Sequence, residues 1–269
     1  MQKRDVLIYL SYLTGGDWDK MYEYIRTKDY DTDIKEVWDQ VNKNKAKTLT
    51  ILDEDYPEYL RSVSHPPLVL FYYGDISLIK DYKKNISIIG KRRNSAYGRK
   101  ATEYYAGRLS VDYPIVSGLA RGIDAIAHET TLNKDGRTIA VLGSGIELCY
   151  PPDNLDLYLR IKNDPNSLLI SEYPNNTMPD PSHFPERNRL IAAFSRLIIV
   201  TEADLHSGTS ITVSFGLNLQ RDICCVPGNI FTYPDSLCHR LINMGATLAS
   251  DINDVYCLVG HELDFSLNI

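Results

Sequence analysis

The sequence predicts an α/β protein built on a doubly wound, mostly parallel sheet. Three observations carry this. Seven short apolar runs recur between residues 68 and 226, and most are continuous rather than alternating, as in strands buried on both faces. Segments with helical periodicity separate them. Several runs are followed by turns rich in Gly, Ser and Thr, which marks strand-to-helix connections with right-handed crossovers.

The first 50 residues read as short helices. Val6, Leu7, Leu10 and Leu13 recur at helical spacing, Gly15-Gly16 breaks the run, and Asp17 is a candidate cap for a second helix. A third is predicted over about 33–44. This segment is a small interaction module or packing support. The strand candidates then follow at 68–73, 86–89, 114–116, 138–142, 168–170, 197–200 and 223–226. Between them, Ala101, Tyr104, Tyr105 and Arg108 form one helical stripe, and Ile211, Phe215 and Leu219 another. There are no tandem repeats and no low-complexity segments.

Composition narrows the function. The 269 residues are 43 % hydrophobic and 24 % charged, which excludes fibrous and wholly disordered classes. No apolar stretch approaches the ~20 residues of a membrane helix, and the N-terminus does not read as a signal peptide, so a cytoplasmic protein is expected. The five cysteines (Cys149, Cys224, Cys225, Cys238 and Cys257) include no Cys-x-x-Cys pair, which favours reduced core thiols over disulfides or a metal site. Net charge is −6, yet seven basic residues and no carboxylate lie between Lys83 and Lys100: Lys83, Lys84, Lys91, Arg92, Arg93, Arg99 and Lys100. Any polyanion must therefore be held by a local patch.

Ligands of open α/β sheets bind at the carboxyl ends of the strands. There the sequence places Gly90-Lys91-Arg92, Ser117-Gly-Leu-Ala-Arg-Gly122, Gly143-Ser144-Gly145 and Ser207-Gly208-Thr209. Glycine admits an anion close to backbone amides, and hydroxyls add donors at helix starts. Known nucleotide fingerprints fail: Leu148 takes the third glycine position after Gly143-Ser-Gly145, and no P-loop or nucleophile elbow exists. Asp124 and His128 share a helix face, as an acid–base dyad or as a carboxylate beside a structural imidazole, with the structural role favoured. Arg187 and Arg189 point about 200° apart on a helix. One should address an anion, and the other a scaffold carboxylate, Glu172 or Glu202.

Read in order, these motifs resemble the DNA-processing protein A (DprA/Smf) family. They are Ser117-Gly-Leu-Ala-Arg-Gly-Ile-Asp-Ala-Ile-Ala-His128, Thr138-Ile-Ala-Val-Leu-Gly-Ser-Gly145, Tyr150-Pro151, Phe184-Pro-Glu-Arg-Asn-Arg189 and Glu202-Ala203. Ser207-Gly-Thr209, Pro227-Gly228 and Leu241-Ile-Asn-Met-Gly-Ala246 continue the match, which covers roughly residues 55–255. The family's first turn is usually Gly-Ser-Arg; Gly90-Lys91-Arg92 exchanges the hydroxyl for a charge. Pro152 and Asp153 stand where some members carry a basic residue, and a glycine common near 237–239 is absent.

The resemblance implies an extended Rossmann-like domain over 59–262, a helical, SAM-like module over 1–58 and a tail over 263–269 without a winged helix. It implies a non-enzymatic recombination mediator that binds and protects single-stranded DNA and loads RecA during natural transformation, as a homodimer through the Rossmann domain, with no cofactor and no membrane partner. The expected nucleic-acid-binding residues are Gly90, Lys91 and Arg92; Ser117, Gly118 and Gly122; Phe184, Arg187, Asn188 and Arg189; and Ser207, Gly208 and Thr209. Phe184 would offer a stacking face. The segment from Leu237 to Leu258, with Leu241, Ile242, Met244, Leu248, Ile252 and Val255, is the candidate dimer surface. The competing reading is a phosphoribohydrolase-like enzyme using Glu202 with Arg187 on the phosphate, but only Gly208-Thr209 remains of its signature.

Overall fold

The computed structural model describes residues 2–175, 177–231 and 236–260. Three helices come first: α1 (Lys3–Thr14), α2 (Trp18–Thr27) and α3 (Lys35–Asn42). Gly15, at φ 67°, ends α1, and the Asp17 carboxylate accepts the Lys20 N–H to start α2.

Nine strands build one sheet: β1 (Lys47–Thr50), β2 (Val69–Gly74), β3 (Ile86–Gly90), β4 (Ile115–Ser117), β5 (Thr138–Leu142), β6 (Leu168–Ser171), β7 (Leu197–Glu202), β8 (Asp222–Cys225) and β9 (Thr247–Leu248). Their spatial order is β1-β2-β6-β5-β4-β3-β7-β8-β9. All pairs from β6 through β9 are parallel, and β1 and β2 add an antiparallel edge. The architecture is the mostly parallel α/β sheet that the apolar runs predict. Two edge strands went unpredicted. β1 is half exposed and β9 has two residues, so neither shows as an apolar run.

Seven further helices cover the sheet: α4 (Ala96–Leu109), α5 (Ile123–Leu132), α6 (Leu155–Asn163), α7 (His183–Ala193), α8 (Gly208–Asn218), α9 (Leu237–Asn243) and α10 (Ile252–Leu258). On one face Leu190, Phe194, Val213 and Leu241 of the α7–α9 layer pack on Ile198, Val200 and Ile223. On the other, α4, α5 and α10 cover Ile86, Ile88 and Ile199, while α1–α3 and α6 share a core with Phe71, Ala140 and Leu169. The N-terminal helices are therefore continuous with the sheet. β1 belongs to that sheet too, so the sheet begins before the boundary expected at residue 58. The expected tail, 263–269, lies outside the described residues.

Two helix stripes differ from expectation. The buried positions of α4 are Gly98, Thr102, Tyr105, Ala106 and Leu109, and those of α8 are Thr209, Thr212, Val213 and Gly216, while Ile211 faces outward. Both helices lie so close to the sheet that small residues are needed beneath them. A Cβ on Gly216 would meet Ile198 at 2.5 Å, and one on Gly98 would meet the Glu202 carboxylate at 1.9 Å. The basic run also divides. Lys83 and Lys84 precede β3 and Lys91–Arg93 follow it, and five residues at about 3.3 Å each put the two groups at opposite ends of the sheet. In the candidate dimer segment, Leu241 and Val255 are buried in the core, whereas Met244 and Leu248 are exposed near the β9 edge.

Chain order reverses between β3 and β7, which pair in parallel although three strands separate them in sequence. Such a switch point opens a crevice at the carboxyl ends of the strands.

Candidate functional site

A cleft of about 710 Å³ occupies that crevice, walled by the β3–α4 turn, the β7–α8 turn and the start of α7. Of the thirteen expected residues, Gly90, Lys91, Arg92, Phe184, Arg187, Asn188, Ser207, Gly208 and Thr209 line it; Ser117, Gly118, Gly122 and Arg189 do not.

Gly90 allows β3 and β7 to end in contact, because a Cβ there would stand 2.6 Å from the Glu202 carbonyl oxygen. The next amide, Lys91 N–H, donates to that oxygen at 2.7 Å. The Lys91 ammonium lies 2.7 Å from the Asp204 carboxylate, and Arg92 extends outward with its guanidinium carbon 5.7 Å from the Phe184 ring centre. Phe184 in turn lies 5.6 Å from the half-exposed Tyr150 ring. One wall thus alternates cation and aromatic, the pairing suited to phosphates and base faces.

The opposite wall is the start of α8. Ser207 gives its hydroxyl to the Asp204 carbonyl and leaves the helix without a side-chain cap. Its first turn has no acid, and nothing lies within 4 Å of a Cβ built on Gly208. An uncapped helix N-terminus that opens into a cleft favours an anion. Thr209 holds the wall to β3 through Gly90 O at 3.2 Å, and Asn188 donates to Gly208 O at 3.3 Å.

The other two helix starts are already filled. At α4, Glu202 accepts both the Ser95 N–H and the Ser95 hydroxyl, at 2.9 and 3.0 Å. That commits the carboxylate of the competing enzyme reading to the scaffold. As at α8, no side chain caps the start of α5, but its Ile123 and Ala125 N–H groups donate to Lys91 O and Ala120 O. Asp124 in its first turn accepts the Gly118 N–H of the preceding turn at 3.1 Å, and Ser117 turns its hydroxyl to Ile88 O. Gly122, at φ 79°, permits contact between this turn and the β3–α4 turn, since a Cβ would stand 2.3 Å from Lys91 O. Ser117, Gly118 and Gly122 therefore support the cleft from behind.

Arg187 and Arg189 divide as their angular separation predicts. Arg187 enters the cleft floor, where Nη1 donates to Gly118 O at 2.5 Å and Val141 O at 2.6 Å. Burial pulls its pKa down to about 10, with Asp124 opposing and Arg92 adding to the fall, so it stays charged at neutral pH. Burial likewise raises the Asp124 pKa against the pull of Arg187. Arg189 leaves the cleft and pairs with Glu172 at 2.5 Å. The Asp124–His128 dyad does not form: His128 Nδ1 meets the Thr138 hydroxyl at 2.6 Å, inside the core. Burial and the Arg187 charge push His128 down to about 3. Eleven lining residues lie outside the expected set, Arg93, Asp124, Tyr150, Asp204 and Thr212 among them. Arg93 and Tyr150 sit within motifs already singled out, while Asp204 carried no signal of its own.

Among the described residues no group of His, Cys, Asp and Glu is arranged to hold a metal, and no helix is long and apolar enough to cross a membrane. The sequence model for DNA recombination-mediator protein A matches residues 47–260. The DNA processing protein DprA of Streptococcus pneumoniae is 40 % identical over 211 residues, which cover 78 % of this chain and 73 % of that protein. Its Bacillus subtilis counterpart is 35 % identical over 210 residues, covering 78 % and 70 %. Protein Smf of Synechocystis is 37 % identical over 219 residues, covering 79 % of this chain and 54 % of its own longer chain. Among solved structures, the Streptococcus pneumoniae protein superposes with a TM-score of 0.78 at 35 % identity, over 89 % of this chain and 80 % of that one. The Helicobacter pylori DNA processing protein A, whose structure concerns its mode of binding single-stranded DNA, gives 0.70 at 30 % identity over 79 % and 94 %. With the sheet, its switch-point cleft and these relatives in agreement, the chain belongs to the DNA recombination-mediator protein A family.

Proposed function

We propose that this protein binds single-stranded DNA in the switch-point cleft and, as a homodimer in the cytoplasm, delivers it to RecA during DNA uptake, without chemistry of its own. The uncapped start of α8, set against Lys91 and Arg92, is the observation that carries the reading. It gives a phosphate both backbone amides and cations. Phe184 and Tyr150 add ring faces that accept any base, so affinity without strong sequence preference follows. The single-strand binding of the Helicobacter pylori relative supports the same reading. Met244 and Leu248, exposed near the β9 edge, are the part of the candidate dimer surface left for a second copy. Two linked clefts would hold a strand far better than one. Light scattering on the parent and on Met244→Glu tests that pairing; a monomeric parent would refute it.

The test of the cleft is Arg92→Glu, read by anisotropy on single-stranded and duplex oligonucleotides across a salt series. The parent should prefer the single strand, and the variant should weaken binding to all sequences alike. It should also flatten the log–log salt slope by about 0.7 for each phosphate that is no longer neutralised. A folded variant that binds like the parent overturns the assignment.

A further inference from the structure

A second cleft, of about 270 Å³, lies between the α1–α2 turn and the far side of α7. Its floor is the Arg189–Glu172 pair. The Arg189 side chain is only 2 % exposed, yet Nη1 has no hydrogen-bond partner and Nε approaches Glu186 only to 3.5 Å. Glu186 reaches His65 Nδ1 at 3.6 Å, again beyond a hydrogen bond, and Nδ1 of His183 is buried without a partner. The walls are flat. His65 stacks on Trp18 at 4.5 Å and Trp18 on Tyr22 at 5.0 Å, while His183 stacks on Tyr173 at 4.0 Å.

A buried donor without an acceptor is costly, so the cleft suits a ligand that supplies one. Four carboxylates (Asp17, Asp19, Glu172 and Glu186) against one arginine repel a phosphate here. A simple amine would serve the carboxylates and leave Arg189 unserved. The Watson–Crick edge of guanine presents two adjacent donors, N1–H and the 2-amino group, beside the O6 acceptor. Glu186 and Arg189, side by side, offer the matching acceptor and donor, and the rings of Trp18, His65 and Tyr173 line the cleft around them.

We propose that this cleft is a guanine-binding subsite, for the base of a free nucleotide or of a DNA strand. Only the strand as source rests on the proposed function. Phe184 lines the first cleft and the adjacent His183 the second, so the two clefts flank the start of α7.

Trp18 lines the subsite and is one of two tryptophans, so the full-length Trp38→Phe variant reports on it by fluorescence. Guanosine should quench Trp18 saturably, and inosine, which lacks the 2-amino donor, should bind roughly tenfold more weakly. Adenosine and uridine should not compete, and Glu186→Gln should weaken guanosine by a similar factor. Guanosine binding should survive Arg92→Glu, which separates this subsite from the first cleft. If one dG raises the affinity of a dT oligonucleotide and Glu186→Gln erases the gain, the strand is the source. If guanosine monophosphate binds without that gain, the source is the free nucleotide. No saturable quenching, equal quenching by all four nucleosides, displacement of guanosine by spermidine, or a Glu186→Gln variant that behaves like its parent overturns the proposal.

Discussion

The turns that start α5 and α8 share an ingredient, a Ser-Gly pair in the connection that follows a parallel strand, and they end up in opposite roles. At α5 the chain brings its own anion: Asp124 accepts the Gly118 amide and faces the buried Arg187, and the turn closes on itself. At α8 no acid enters the first turn, Ser207 points away, and the space before Gly208 is open. A glycine-rich turn is thus left open to an anion only where the fold's own groups do not fill the helix start. α4 extends the lesson, since its start is filled by Glu202 from a strand over 100 residues away.

The strongest test of the contrast is Asp124→Asn. If Asp124 is the internal anion of a closed turn, its loss leaves Arg187 as an uncompensated buried charge. Urea denaturation should then show a loss of about 3–5 kcal/mol in stability. Unchanged stability with reduced DNA affinity would instead make the α5 turn part of the ligand site. Gly208→Asp is the converse experiment, since it gives α8 the acid that α5 has. Single-strand affinity should fall at least a hundredfold, about 2.7 kcal/mol. Stability should hold or rise slightly, because an acid in the first turn suits the helix dipole. A variant that still binds tightly would break the comparison.

His128 sharpens the same contrast on the closed side through pH. Burial keeps its imidazole neutral in the fold, with a pKa near 3 in place of the usual 6.5. The unfolded chain takes up the proton near pH 6.5 and the folded chain does not. Its stability contribution is therefore complete above that pH and declines as pH falls toward 3, by about 1.4 kcal/mol per unit. Between pH 7 and 5 the parent should lose roughly 2 kcal/mol more than His128→Gln, measured by urea unfolding. Parallel losses in the two proteins would place the acid limb elsewhere.

Strands β2–β8 were legible because each carries a run of apolar residues that the sheet buries. β1 and β9 were not, because short edge strands need no such run. The cleft was legible where neighbouring residues make it, as in Gly90-Lys91-Arg92 and Ser207-Gly208-Thr209. The sequence misled where a long-range contact decides. Nothing local to Ser117-Gly118 says that Arg187 will lie across it, yet a Cβ on Gly118 would stand 2.6 Å from that guanidinium. The basic run from Lys83 to Lys100 divides for a local reason, since the strand predicted at 86–89 already sets Lys83 and Lys91 at its two ends. Spacing did suffice for Arg187 and Arg189, because helix geometry alone sends them to different sides.

The smallest effect concerns the exposed acid at the open site. Asp204 follows β7 and lines the same cleft as the start of α8, with its side chain 55 % exposed and its carboxylate 2.7 Å from the Lys91 ammonium. Exposed as it is, it competes for a cation where the buried Asp124 caps a turn. A phosphate bound between α8 and Lys91 must share that ammonium with it. A half-exposed pair of this kind contributes about 0.2–1 kcal/mol, so Asp204→Asn should tighten single-strand binding by up to about fivefold at low salt. The gain should shrink as salt screens both contacts. Anisotropy at several salt concentrations measures both effects. Weaker binding by the variant would mean that Asp204 holds Lys91 in place for the phosphate, and the division between capping and competing acids would then fail at its exposed end.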